Sequence, residues 1–235
     1  MRAGDPVGTE RSSEERPRAV VSWSSGKDSA YSLHRARRAA ELEIVGLLTT
    51  ITETFARVSM HGVRQELLAR QTEAAGLPLY PVSIPFPCPN AIYEERMRQM
   101  IARLRADGVS RIVFGDLYLE EIRSYREDRL RGSGIRPVFP LWGRATRDLA
   151  HEMIASGMRA TIVAVDPRKL SGGFAGRSFD EDLLRELPAG IDPCGENGEF
   201  HTFVTDGPMF RHPIAVRAGA VVERDGYVFA DLEPV

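Results

Sequence analysis

A six-residue run near the start of the chain, Ser24–Ser29, combines the side chains and the backbone freedom that a phosphate group requires. Gly26 can take backbone angles closed to other residues, and the helical pattern that follows would present free N–H groups to an anion. Lys27 adds a positive charge, and Asp28 adds a carboxylate that can hold Mg²⁺ between two phosphates. Hydroxyl donors come from Ser24, Ser25 and Ser29. The run therefore predicts a pyrophosphate site.

The order of residues in this run differs from that of a Walker A loop. There the lysine is followed at once by Ser or Thr, whereas Lys27 is followed by Asp28, and no glycine opens such a loop ahead of Gly26. Cleavage at the γ-phosphate is therefore disfavoured. The alternative is an ordinary helix cap in which Asp28 or Ser29 satisfies backbone donors. Capping alone gives no reason for two serines, a glycine and a lysine in series.

A second polar and glycine-rich segment, Asp192–Val204, lies far along the chain, and we interpret it as a loop at the site rather than a core strand. Glu196 and Glu199 could bind a metal, orient ammonia or act as a base. Gly195 and Gly198 permit a close approach of the backbone to a ligand. The alternative is a solvated turn ahead of a strand.

Alternating strand and helix patterns must position both segments. They indicate a parallel sheet wrapped by helices on both faces, an α/β doubly wound, Rossmann-like fold with a smaller C-terminal lobe. Ligands of such sheets bind beyond the carboxyl ends of the strands. Strands are predicted at 18–24, 43–51, 79–84, 111–114 and 160–165. Helices are predicted at 29–40, 63–75, 91–106, 117–131, 147–156 and 179–187, and a hairpin at 214–232.

The run at 24–29 closely resembles the SGGKDS signature of the PP-loop ATP pyrophosphatases, which are adenine nucleotide alpha hydrolase-like proteins of the HUP class; Ser25 replaces its first glycine. The second segment is similar to the GEGGEYET...D.P.F motif of the diphthine ammonia ligase family, also described as the ATP-binding domain 4 group. In that motif Asn197 stands for Gly, Phe200 for Tyr and His201 for Glu. Shorter stretches, such as QTEAAGLPLY at 71–80, extend the resemblance over most of the chain.

The resemblance implies an enzyme that adenylates the carboxylate of diphthine, a modified histidine of elongation factor 2, after which ammonia displaces AMP to give an amide. It implies that the run at 24–29 binds the phosphates of ATP, with magnesium at Asp28. Catalytic roles are predicted for Lys27, Asp28, Glu196 and Glu199. The substrate side is predicted to include Gly195, Asn197, Gly198, His201 and Thr202.

Five further residues have weaker claims to the nucleotide site. Thr49 and Thr50 end the second predicted strand, where their backbone could read the adenine edge, and they could equally be plain strand residues. His61 sits where the family has a histidine after that strand, although a lone histidine before a helix is more often a cap. Gly115 and Asp116 close a strand at its carboxyl end, and Asp116 could bind magnesium or cap the next helix.

Composition bounds the remaining possibilities. The 235 residues are 43% hydrophobic and 27% charged, as in globular proteins. We expect a flexible tail at 1–17, an ATP-binding domain at 18–140 and a C-terminal lobe at 141–235. Charged residues interrupt every apolar run, so we expect no membrane span and a cytoplasmic protein. The net charge of -2 gives no general reason to expect DNA binding.

Two other functions stay open. One is a PP-loop enzyme that adenylates a small molecule, a cofactor precursor or a tRNA base, although the absence of a CxxC pair argues against the tRNA enzymes. The other is a non-catalytic protein in which ATP only orders a loop. A second copy of the chain, in a homodimer, is also considered as a partner.

Overall fold

The computed structural model describes residues 15–52, 57–58 and 62–235. Most of the predicted tail, and His61 with it, lie outside the described residues. The first sheet contains β1 (Arg18–Ser22), β2 (Glu43–Thr52), β3 (Arg57–Val58), β4 (Leu79–Ile84), β5 (Arg111–Val113) and β6 (Arg136–Val138). The α-helices are α1 (Lys27–Ala39), α2 (Gln65–Ala75), α3 (Asn90–Ala106), α4 (Glu120–Leu130), α5 (Thr146–Ala155) and α6 (Glu181–Glu186).

Five strands of this sheet run parallel in the order β4-β2-β1-β5-β6, with β1 at the centre. The short β3 pairs with the end of β2 in the antiparallel direction. Because β1 is central, the loop that follows it lies at the middle of the carboxyl edge of the sheet, the usual ligand side of such folds.

Side chains alternate across β1 and feed two hydrophobic cores. Ala19 and Val21 belong to a large core with α1, α2 and α5, whereas Val20 points to a smaller core with α3 and α4. Helices therefore cover both faces of the sheet, and the predicted doubly wound α/β fold is confirmed.

The helix α4 contacts the smaller core largely through arginine side chains, and Leu130 is its one buried residue. The Arg123 guanidinium lies 4.7 Å from the ring centroid of Trp142, and that of Arg126 lies 4.9 Å from the ring of Phe114. Such cation–π contacts hold a helix without a wide apolar face.

A second, antiparallel sheet forms the smaller C-terminal lobe, in the order β8-β7-β10-β9. Its strands are β7 (Arg159–Val165), β8 (Phe200–Asp206), β9 (Val216–Arg224) and β10 (Tyr227–Pro234), and a 3-10 turn covers Gly172–Phe174. The predicted hairpin is confirmed as β9 and β10. The buried side chains of β7 and β8 join the same large core as α1 and α2, so the two sheets share one interior.

Two differences from the predicted elements have clear causes. The strand β6 contains Pro137, which cannot donate to a ladder and obscures a three-residue edge strand in the sequence. The strand β8 occupies the second half of the segment that we interpreted as a loop. Among the described residues, no helix is both long and apolar enough to cross a bilayer.

Candidate functional site

The run at 24–29 connects β1 to α1, as predicted. Gly26 precedes the first turn of α1 and has no side chain to cap that helix. The Ser29 hydroxyl accepts from the Ser24 backbone N–H at 3.3 Å, as the cap interpretation requires, so that alternative stays open. The Lys27 backbone N–H donates to Thr202 Oγ1 at 3.0 Å. The helix start therefore lies at the carboxyl edge of the sheet, where its partial positive charge favours an anion.

The unusual backbone conformation of this loop falls on Ser25. Gly26 has φ -90° and ψ 171°, which any residue adopts, so our expectation for Gly26 is wrong. Ser25 has φ 72°, in the region that favours glycine. It is fully buried, and its hydroxyl has no hydrogen-bond partner among the described residues. The position that carries glycine in the SGGKDS signature is thus the one that needs it.

A buried glutamine, Gln71 of α2, holds this loop in place. Its Nε2 donates to the carbonyl oxygens of Ser25 at 3.1 Å and Val204 at 2.7 Å. Its Oε1 accepts from Trp23 Nε1 at 3.0 Å. The Val204 N–H also donates to Ser25 O at 3.0 Å. One amide therefore joins β1, the loop and β8, a role that the sequence alone did not indicate.

The Lys27 side chain is 3% exposed and turns into the C-terminal lobe. Its Nζ donates to both carboxylate oxygens of Asp28, at 3.0 and 2.8 Å, and to the carbonyl oxygen of Cys194. Burial works against its charge, but the charge and the hydrogen bonds of the Asp28 carboxylate help to outweigh that effect, and the pKa of Lys27 is raised. Lys27 therefore remains an ammonium group.

Glu196 reaches from the second segment to the carboxyl end of β5. Its Oε1 accepts from the Leu117 backbone N–H at 2.8 Å. Burial raises the pKa of Glu196 to about 7, with smaller contributions from the negative charges of Asp28 and Asp116. A carboxyl group that titrates near neutral pH is suited to proton transfer.

Glu199 has a different environment and is buried inside its own loop, with 3% exposure. Its Oε1 accepts from the Asp192 N–H at 3.2 Å and from Asn197 Nδ2 at 3.1 Å. Gly195 and Gly198 have φ values of 67° and 78°, so the loop needs glycine at both positions. These contacts favour a scaffolding function for Glu199, and its predicted catalytic role stays a prediction.

The interpretation of Asp192–Val204 as a loop is wrong from Phe200 onward, where β8 begins. Thr202 faces the run at 24–29, called the phosphate loop from here on, through the hydrogen bond to the Lys27 N–H. His201 is half-buried, and burial, followed by the charges of Lys27 and Lys169, lowers the pKa of His201 to about 4. The imidazole is therefore neutral near pH 7.

Gly115 allows the end of β5 to touch the start of α1. A Cβ atom at this position would lie 2.9 Å from the carbonyl carbon of Asp28 and 3.0 Å from the backbone nitrogen of Ser29. Asp116 follows, with its Oδ2 3.6 Å from Arg126 Nε. The structure thus brings Gly115 to the phosphate loop, whereas the carboxylate of Asp116 faces Arg126 of α4.

Thr49 and Thr50 lie within β2, which continues to Thr52, so they do not end that strand as predicted. The Thr49 hydroxyl is buried and has no hydrogen-bond partner among the described residues. A groove of about 1010 Å³ opens beside them. Its walls include Ser24, Thr49, Thr50, Ile84, Phe114 and His201. The groove is continuous with the phosphate loop and is large enough for a nucleotide.

The carboxylates near the loop suit a magnesium ion that is bound together with a nucleotide. No cluster of three or more acidic, histidine or cysteine side chains suited to a metal occurs in the described part of the chain. Magnesium bound with nucleotides needs one or two carboxylates, because phosphates and water supply the other ligands. Asp28 offers such a carboxylate beside the loop. Asp28 therefore has the chemistry that such an ion needs, and its role as the magnesium ligand stays a prediction.

Two polar residues near the second segment were missed by the sequence analysis. The Tyr118 hydroxyl lies 3.2 Å from Asp192 Oδ2 and 3.0 Å from Asn197 Oδ1. The Lys169 ammonium donates to the Asn197 carbonyl oxygen at 2.5 Å. Neither lies in a motif, so only the fold brings them to the site.

The parallel sheet and the loop at its carboxyl edge define a doubly wound α/β protein, and the helix start at its centre has the polarity that suits an anion. This chain belongs to the diphthamide synthase family. The model of the diphthamide synthase N-terminal domain matches residues 17–137, and that of the C-terminal domain matches residues 145–229.

Curated relatives agree with this assignment. The chain is 37% identical over 105 residues to the diphthine–ammonia ligase of Bos taurus, covering 41% of this chain and 38% of that protein. It is 34% identical over 131 residues to that of Mus musculus, covering 53% and 47%. It is 30% identical over 139 residues to that of Danio rerio, covering 57% and 53%. The matches thus span about half or less of these relatives.

Proposed function

We propose that this chain is an ATP-dependent amide synthetase that activates a carboxylate as an adenylate and then aminates it with ammonia. The observation that carries the proposal is the meeting of Lys27 and Asp28 with Glu196 at one edge of the sheet. The Lys27 ammonium and the start of α1 suit a phosphate chain, and the Glu196 carboxyl titrates where a general base is needed.

In the first step a carboxylate oxygen attacks the α-phosphorus of ATP, the bond between the α and β phosphates breaks, and pyrophosphate leaves. Lys27 and the N–H groups at the start of α1 stabilise the negative charge on the departing pyrophosphate. Magnesium at Asp28, when bound, would neutralise further phosphate charge. Holding both reactants in one groove removes much of the entropic barrier.

In the second step ammonia attacks the acyl carbon of the adenylate, AMP leaves with the bonding electrons, and an amide forms. The nitrogen must lose a proton during this attack. Glu196 in its ionised form accepts that proton, since its pKa of about 7 leaves a large fraction ionised near neutral pH. Thr202 and His201 line the substrate side.

The names of the relatives, diphthine–ammonia ligase, support a diphthine-like acid as the acceptor. We therefore propose elongation factor 2 as the partner that carries it. His201 stands where the similar motif has glutamate, and its imidazole is neutral near pH 7. This change affects the acceptor side of the site, so acids other than diphthine should be tested beside it.

The test is product analysis with ATP labelled at the α-phosphate. Wild-type protein with ammonia, magnesium and a panel of acids, including diphthine-bearing elongation factor 2, should release labelled AMP and pyrophosphate. Lys27→Met should lower that rate by about 10² or more, in the range lost with other charge-stabilising donors. Labelled ADP without AMP would reject the proposal.

A further inference from the structure

The chain contains 31 lysines and arginines, and only two of them are lysine: Lys27 and Lys169. Arginine serves every other cationic position. The two residue types differ physically, because lysine carries a compact, strongly hydrated charge with three rotatable donors, whereas arginine carries a planar fork. A position that keeps lysine in this background therefore suggests a need for a compact ammonium group.

Both lysines bind the same loop. Lys27 Nζ donates to the carbonyl oxygen of Cys194, and Lys169 Nζ donates to that of Asn197, three residues further on. Glu196 lies between these two carbonyl groups in the sequence. The two ammonium groups thus flank the segment that carries the titrating carboxyl group.

The surroundings of Lys169 leave its ammonium group available to a ligand. The side chain is 46% exposed. The nearest carboxylate, Asp166, is already held by two hydrogen bonds of 2.8 Å from the Arg168 guanidinium, and Lys169 Nζ lies 3.9 Å from its Oδ2. An ammonium group has three donors, and in the described residues the Asn197 carbonyl accounts for one.

The position of this ammonium group favours the acceptor side of the site. A Cβ atom at Gly198 would lie 3.6 Å from Lys169 Nζ, so the charge lies directly over the glycine turn. Lys27 belongs to the phosphate loop, whereas Lys169 follows β7 and contacts the second segment at Asn197. Besides burial, the charges of both lysines lower the pKa of His201, so the positive potential of both reaches that imidazole.

We propose that the Lys169 ammonium group binds the carboxylate of the acid substrate and holds it beside the phosphate loop. This inference rests on the proposed function, since it names the group that recognises the acceptor. The ligand class is a carboxylate anion on a small molecule or on a protein side chain. Pyrophosphate, the other anion of the reaction, belongs to the side of Lys27.

Having only two lysines makes a direct test feasible. Protein grown with lysine labelled with ¹³C at the ε-carbon should give two NMR signals, and the signal missing from Lys169→Arg identifies Lys169. Adding acetate to about 50 mM, against sodium chloride at matched ionic strength, should shift the Lys169 signal saturably and leave Lys27 unchanged. Pyrophosphate with magnesium should shift Lys27.

Three outcomes would overturn the proposal: no response to acetate, a response to acetate confined to Lys27, or a Lys169 signal that responds to pyrophosphate alone. The measurement needs no turnover. If the protein bound acetate at Lys169 but made no AMP with any acid, the proposed function would fail and this site would stand.

Turnover supplies a second readout. Lys169→Met keeps the side-chain length but removes the charge. It should raise KM for the acid about tenfold or more, because the loss of a hydrogen bond to a charged group weakens binding by about that factor. KM for ATP should stay within about twofold. Arg217→Met, on the exposed strand β9, is the matched control and should change neither constant. An equal rise in both constants for Lys169→Met would indicate a general structural effect and reject the assignment.

Discussion

The ammonium group of Lys27 donates to the carbonyl oxygen of Cys194, although 167 positions separate the two residues in the sequence. The burial of Cys194 raises the pKa of its thiol to about 12, so this cysteine is not a thiolate near neutral pH. Its thiol lies 3.3 Å from the Thr146 carbonyl oxygen. Cys194 therefore contributes to the site through its backbone carbonyl group, which holds the Lys27 ammonium group in position.

The pH dependence of amide formation should depend on Glu196. Its raised pKa predicts that the rate, measured at a constant concentration of unprotonated ammonia, rises with pH and levels off above about 7. Glu196→Gln should lower the rate by about 10² and flatten this profile. If the rate of Glu196→Gln rose with pH as the wild-type rate does, another group would be responsible for the pH dependence.

The same substitution has a separate signature in stability. The pKa of Glu196 is higher in the folded protein than its ordinary value of 4.5, so the charged form is disfavoured by folding. Wild-type stability is then reduced as pH rises from about 4.5 to about 7. Glu196→Gln should melt at a higher temperature than wild type at about pH 8, and the two should converge at acidic pH.

Ser25→Gly should stabilise the fold. The φ of 72° at Ser25 costs a residue with a side chain about 1 kcal/mol more than glycine, and the substitution also removes a buried hydroxyl without a partner. Urea unfolding should show a gain of about 1 kcal/mol. The control, Ser32→Gly inside α1, also removes a buried hydroxyl without a partner in the described residues, but it should give no gain, because glycine weakens a helix interior.

Gln71→Leu should be strongly destabilising. The change leaves the Trp23 indole N–H and the Val204 carbonyl without their partner in the core, at a cost of about 2–3 kcal/mol in urea unfolding. KM for ATP should rise as the loop loosens. Gln99→Leu is the matched control, since Gln99 is exposed and bonds to Glu95 only one turn away. Equal effects of the two substitutions would contradict the linking role of Gln71.

Gly115→Ala should weaken nucleotide binding and the fold together. The added methyl group would meet the backbone of Asp28 and Ser29, which cannot move without shifting the start of α1. We expect a loss of about 1–3 kcal/mol in stability and weaker ATP binding by calorimetry. Gly173→Ala, where the nearest atom is 3.7 Å away, should leave both unchanged.

Local patterns predicted the parallel sheet, its helices and the phosphate loop, because each depends on residues close in sequence. They could not predict β8. Glycine and charged residues dominate the segment before Phe200, which hides the start of the strand. Thr202 is buried, and its hydroxyl accepts a hydrogen bond from the Lys27 N–H, 175 positions away in the sequence. The same limit explains Gln71 and Lys169, whose partners lie in other elements. The sequence also did not show that Ser25, rather than the neighbouring Gly26, has the positive φ, since both residues belong to one turn.

The backbone hydrogen bond from Val204 to Ser25 has a consequence for synthesis on the ribosome. The phosphate loop is translated early, but the strand that completes it emerges only after most of the chain has been made. A nascent chain stalled before Val204 should therefore fail to retain ATP, even with every residue of the loop outside the exit tunnel. Nucleotide capture would then report that β8 has emerged.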